Sequence, residues 1–212
     1  PDSYIAAGRG VNSFDVDELK RRMTVVTGED RIIVYDFANK EVTGEFDIKS
    51  RYNSTPVLFD PLARYIIRKN DSKSIEIFDY RNRSERKLKV ENGFNFAFSF
   101  DGLTFFIQSS DGVQIYDVPS FEEKGIIKNG QVQHFTISDN RIYVLEKDDK
   151  TIRVYDWSGE QLNDFFLEQP IDKLVFQPAD GSLLGYRVSY DIGSRKRDYN
   201  LYAIDSGTGK IR

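Results

Sequence analysis

The chain contains no cysteine, which excludes disulfides, thiolate nucleophiles and thiol-ligated zinc. His134 is its single histidine, so any chemistry that needs an imidazole has to use that residue. No segment approaches the roughly 18 uninterrupted apolar residues of a membrane-spanning helix, and no membrane insertion is expected. A dominant basic charge is missing too. Lys and Arg number 30 against 34 Asp and Glu, a formal net charge of −4, and with a sequence pI near 5.2 no extended nucleic-acid interface is expected. Lack of cysteine fits a cytoplasmic and an extracytoplasmic (periplasmic or secreted) setting equally. Two N-x-S/T triplets, at Asn53 and Asn82, carry little weight, because such triplets arise by chance.

What is present is periodic. A short apolar segment ending in aspartate recurs five times, as Ile33-Val34-Tyr35-Asp36, Ile75-Glu76-Ile77-Phe78-Asp79, Val113-Gln114-Ile115-Tyr116-Asp117, Ile152-Arg153-Val154-Tyr155-Asp156 and Leu201-Tyr202-Ala203-Ile204-Asp205. The spacing, about forty residues, is that of a repeat architecture. Twelve tyrosines and sixteen phenylalanines against one tryptophan and one methionine suit strands, where flat side chains pack on a pleated surface.

The third repeat shows the unit. Phe94 to Phe100 alternates aromatic with small or polar residues, as a half-buried strand does. Asp101-Gly102 turns the chain, Leu103 to Gln108 returns, Asp111-Gly112 turns again, and Val113 to Tyr116 and Phe121 to Ile127 complete four strands. The same order fits approximate blades 11–48, 55–90, 94–127, 132–167 and 171–212. The predicted fold is all-β, a single β-propeller domain of about five four-stranded blades. Tyr4 to Ala7 is a possible closing strand for the fifth blade, so the ring closes as five or belongs to a larger propeller.

Phe98-Ser99-Phe100-Asp101-Gly102 followed by Val113-Gln114-Ile115-Tyr116-Asp117 resembles the body of a WD-repeat blade, with tyrosine or phenylalanine in place of the signature tryptophan. The family's glycine-histidine dipeptide is absent from every unit. The likeness therefore implies a divergent WD-like propeller, with lactonase-like and quinoprotein-like propellers as possible kin.

Candidate sites are few. The recurrent aspartates read as turn caps, their carboxylates accepting backbone amides two residues on. Lys147-Asp148-Asp149-Lys150 reads as a solvated hairpin rather than a calcium loop, and no metal site or cofactor is expected. Alternation puts His134 on one face with Val132 and Thr136, as a structural or channel-lining residue. The unusual segment is Tyr186 to Tyr199, where the link between second and third strands is about ten residues longer than its counterparts. It carries Tyr190, Arg195, Lys196 and Arg197, and blade topology expects Arg51 and Tyr52 on the same rim. Such a surface suits an acidic peptide, a phosphate-bearing ligand or a glycan carboxylate, and a protein or peptide partner is expected.

These readings favour a non-catalytic protein- or peptide-binding scaffold that presents propeller loops. The alternatives are a propeller enzyme of lyase, lactonase or quinoprotein-like type using the central channel through His134, and a structural segment of a surface or secretion machine.

Overall fold

Alternating aromatic and β-branched residues between Asp, Gly and Asn turns leave the chain few options besides short antiparallel strands. The computed structural model describes residues 11–17, 21–27, 31–47, 57–62, 64–69, 73–79, 81–90, 95–138, 140–191, 193 and 196–211. All regular structure in them is strand. Blade 1 comprises β1 (Val11–Asp17), β2 (Arg22–Thr27), β3 (Arg31–Asp36) and β4 (Glu41–Asp47). Blade 2 comprises β5 (Val57–Phe59), β6 (Tyr65–Lys69), β7 (Ser74–Asp79) and β8 (Ser84–Lys89). Blade 3 follows with β9 (Phe96–Phe98), β10 (Thr104–Ser109), β11 (Gly112–Asp117) and β12 (Glu123–Lys128), and blade 4 with β13 (Val132–Ile137), β14 (Ile142–Glu146), β15 (Thr151–Tyr155) and β16 (Gln161–Phe166). Blade 5 has β17 (Lys173–Gln177), β18 (Ser182–Asp191) and β19 (Lys196–Ile204).

Each sheet is antiparallel and its strands lie in sequence order, the blade pattern of a β-propeller, with four strands in each of the first four blades and three in the last among the described residues. Two compact units divide the chain, Pro1–Gly93 with blades 1 and 2, and Phe94–Arg212 with blades 3, 4 and 5. In the first, Val26, Ile32 and Val34 pack against Val57, Phe59 and Ile66 of the next blade. In the second, Phe106, Val113 and Ile115 meet Phe135, Ile137 and Val144, and on the far side of blade 4 Tyr143, Leu145 and Ile152 meet Leu174, Leu183 and Ile204. Blade 4 thus buries both of its faces. At about 25 cal/mol per Å² of apolar surface, this stacking supplies most of the stabilisation.

Turn capping by the repeated aspartates is present at four of the five. Asp36 accepts the amides of Ala38 and Asn39 at 2.7 and 3.1 Å, and Asp79 those of Arg81 and Asn82 at 3.0 and 2.9 Å. Asp156 accepts Ser158 and Glu160, both at 2.9 Å, and Asp205 accepts Gly207 and Thr208 at 3.1 and 3.0 Å. Asp117 departs from the pattern because the residue two positions on is Pro119, which has no N–H to give. Its carboxylate instead accepts the Ser120 hydroxyl at 3.2 Å and pairs with Lys124 at 2.6 Å.

Two expectations need correction. The Tyr186–Tyr199 segment is not a long loop: β18 and β19 pair in unbroken register from Leu183↔Ile204 to Asp191↔Lys196, so the extra residues lengthen a β-hairpin. Strict alternation also fails in β13, where the register shifts between Val132 and His134. The bulge carries Val132 to the side of Phe135 and Ile137, with which it is buried, and away from His134. The proposed closing strand at 4–7 lies outside the described residues.

Candidate functional site

The hairpin of blade 5 sorts its side chains by parity. Leu174, Leu183 and Ile204 fall on the face buried against blade 4. The opposite face carries Val175 from β17, Leu184, Tyr186, Val188 and Tyr190 from β18, and Arg197, Tyr199 and Leu201 from β19. Val175, Tyr190, Tyr199 and Leu201 are 51%, 57%, 62% and 68% exposed. The Tyr186 and Tyr199 rings stack with centroids 6.3 Å apart, and Tyr190 lies directly opposite Arg197. Lys173 and Arg197 supply cations to this face, and none of its described side chains is acidic. The face is thus aromatic and aliphatic, with the Arg197 guanidinium near the hairpin tip.

The repeat shows how unusual this openness is. By register, Leu201 holds the place of Val113 in blade 3 and Ile152 in blade 4, and both of those are 0% exposed. In blade 4 that face receives the inner strand of blade 5, whereas Leu201 at the corresponding place in blade 5 is 68% exposed. Sequence reasoning missed Val175 and Leu201 because the motif around Leu201 matches its buried counterparts.

The cationic cluster expected in the segment is divided. Arg197 joins the tyrosines on the open face, whereas Lys196 and Arg187 point to the other, where Arg187 Nη1 donates to the Pro170 carbonyl at 3.3 Å. Asp172 anchors the same side by accepting the Val188 amide at 2.7 Å. Arg51, Tyr52 and Arg195 lie outside the described residues.

His134 is half-buried between blades 4 and 5. Its Nδ1 accepts the Leu174 amide at 3.4 Å, and its Nε2 stands 3.4 Å from Asn95 Nδ2, which donates to the Phe135 carbonyl at 2.9 Å. Thr136 repeats the device, its Oγ1 accepting the Phe176 amide at 3.0 Å. Burial and then the Lys173 charge pull His134 down to about 4, so the ring is neutral at pH 7. Among the described residues no group of three His, Asp or Glu side chains converges as metal ligands. Asp148 of the acidic hairpin instead caps its own turn, accepting the Lys150 and Thr151 amides at 3.0 and 2.8 Å. Among the described residues no helix is long and apolar enough to cross a membrane.

No protein-family model matches the sequence, and neither does any curated protein. Among solved structures the chain is similar to Kuenenia stuttgartiensis hydrazine synthase, with a TM-score of 0.71 at 15% identity. The match covers 96% of this chain and 65% of that one. At that identity the likeness carries the fold and not the chemistry.

Proposed function

We propose that the chain is a non-catalytic protein-binding module whose contact surface is the open face of blade 5. The observation that carries this reading is that Val175, Tyr190, Tyr199 and Leu201 are all exposed on the one sheet face that also carries Arg197. Exposed apolar surface of that kind is costly in solution unless a partner covers it. Its cations and lack of acidic groups favour a partner segment that is apolar with flanking carboxylates. The blade body keeps its kinship with WD-type repeats in this reading, supported by the aspartate-capped third strands.

Affinity capture and cross-linking with the source-cell extract tests the proposal through residues that the structure separates. Arg197→Glu combined with Tyr199→Ala should lose the captured partner, and Lys196→Glu, on the other face, should keep it. Equal recovery by both variants rejects the surface.

A further inference from the structure

Asn129, in the link from blade 3 to blade 4, holds the two blades with different parts of one residue. Its backbone amide donates to the Asp111 carbonyl, at the β10–β11 turn of blade 3, at 3.1 Å. Its carboxamide reaches into blade 4, where Nδ2 donates to Glu146 Oε1 at 3.1 Å and stands 3.5 Å from the Tyr155 hydroxyl. Oδ1 accepts the Gln131 amide at 3.0 Å, so both polar atoms of the carboxamide are engaged. Glu146 is the anchor on the blade 4 side. Its side chain is 13% exposed, and Arg153 Nε pairs with the same Oε1 at 2.7 Å. Lys147 pins the link further, its amide donating to the Gln131 carbonyl at 2.7 Å and its Nζ to the Gly130 carbonyl at 3.1 Å.

The next residue, Gly130, is exposed and has no side chain to hinder ring closure. An asparagine before glycine carries its own nucleophile, the backbone nitrogen that follows it. When that nitrogen attacks Cγ, the N–Cγ bond forms, the Cγ–Nδ2 bond breaks, and the proton of the Gly130 amide leaves with Nδ2 as ammonia. Water then opens the five-membered imide. Opening at Cγ leaves aspartate, and opening at the main-chain carbonyl leaves isoaspartate, whose backbone runs through the side chain and is a methylene longer. We propose that Asn129-Gly130 is a self-modification site, held unreactive while the joint between blades 3 and 4 is closed and converted when the link opens. Ring closure requires the carboxamide to turn off both the Gln131 amide and Glu146. The change is one-way, because an ionised carboxylate has no hydrogen to donate to Glu146 and sets a like charge against it. Conversion therefore leaves the joint loosened. The other Asn-Gly dipeptide of the chain, Asn92-Gly93, lies outside the described residues.

The test incubates the folded protein at neutral pH beside a synthetic peptide of residues 127–133 and follows both by peptide mapping, with isoaspartate detected by methyltransferase labelling. The peptide should convert about tenfold faster or more than Asn129 in the folded chain, because the fold must open locally before the ring can close. Glu146→Ala should bring the folded rate toward that of the peptide. Equal rates for parent and peptide, or a parent rate that Glu146→Ala leaves unchanged, overturn the proposal. The consequence of conversion is read in a second pair of variants, so a folding defect in Glu146→Ala leaves the test intact. Asn129→Asp should speed amide exchange in β12 and β13, and adding Glu146→Gln, whose amide donates to the new carboxylate, should reverse the change. Exchange in Asn129→Asp equal to the parent's, or an acceleration that Glu146→Gln fails to reverse, would equally overturn it.

Discussion

At the scale of single residues, the tightest constraint lies at the turn between β10 and β11. Gly112 has φ of +145°, and a Cβ built there would stand 1.9 Å from the Ile127 carbonyl oxygen and 2.8 Å from the Asn129 nitrogen. Both neighbours are backbone, Ile127 in the β11–β12 ladder and Asn129 tied to the Asp111 carbonyl through its amide at 3.1 Å, so neither yields by a rotamer change. Gly181 supplies the control, with φ of +71° and open space around its added carbon. Gly181→Ala should cost about 1 kcal/mol, the penalty of the left-handed conformation alone. Gly112→Ala adds steric displacement of the ladder and should cost on the order of 3 kcal/mol. Urea unfolding of both variants checks the difference, and equal midpoints would contradict the contact.

At the scale of elements, much of the architecture was legible. Strand alternation, Asp-Gly turns and the forty-residue recurrence identify the sheets because each unit must bury both faces on its neighbours. The bulge at Gln133 was not legible, since Val132-Gln133-His134-Phe135 alternates as well without it as with it. Nor was the hairpin extension, because Arg195-Lys196-Arg197 carries no strand signal and pairs only through the register set further down β18 and β19. The open face of blade 5 was hidden for a different reason: its residues match buried ones elsewhere, and exposure depends on what packs there. One buried pair also escaped notice. Arg68 on β6 lies directly opposite Glu76 on β7, with Nη2 to Oε2 at 3.5 Å, and Arg68 is 0% exposed. Removing Glu76 takes the acidic partner from a fully buried guanidinium. Glu76→Ala should therefore cost about 3–5 kcal/mol, whereas the joint change Arg68→Met with Glu76→Leu should fall near the parent or above it. Denaturant midpoints for the single and double variants decide this, and a double variant as weak as the single would refute the argument.

At the scale of the whole molecule, stability should respond to pH in two separate windows. His134 is the single histidine, and burial with the Lys173 charge holds it down to about 4. A base with a folded pKa below its unfolded value takes its proton more readily in the unfolded chain, so its protonation favours unfolding. Stability contributed by neutral His134 is complete above about 6.5 and declines as pH falls toward about 4. The turn carboxylates act lower. The Asn39 amide holds Asp36 below the usual carboxylate range, the Lys124 ammonium does so for Asp117 and the Ser158 hydroxyl for Asp156. At Asp79 burial pushes upward, but hydrogen bonds from Asn82 and Arg81 outweigh it. For an acid with a lowered folded pKa, the contribution is full above the unfolded value of about 4 and is lost as pH drops through the folded value. His134→Gln should therefore flatten the profile between about pH 6.5 and 4 while leaving the acid limb in place. Asp156→Asn, whose amide oxygen still accepts the turn N–H groups, should shallow the acid limb and leave the upper window unchanged. Urea-unfolding free energies measured in half-unit pH steps separate the two. An upper-window slope in His134→Gln equal to the parent's would mean that the imidazole is not held neutral at the junction of blades 4 and 5.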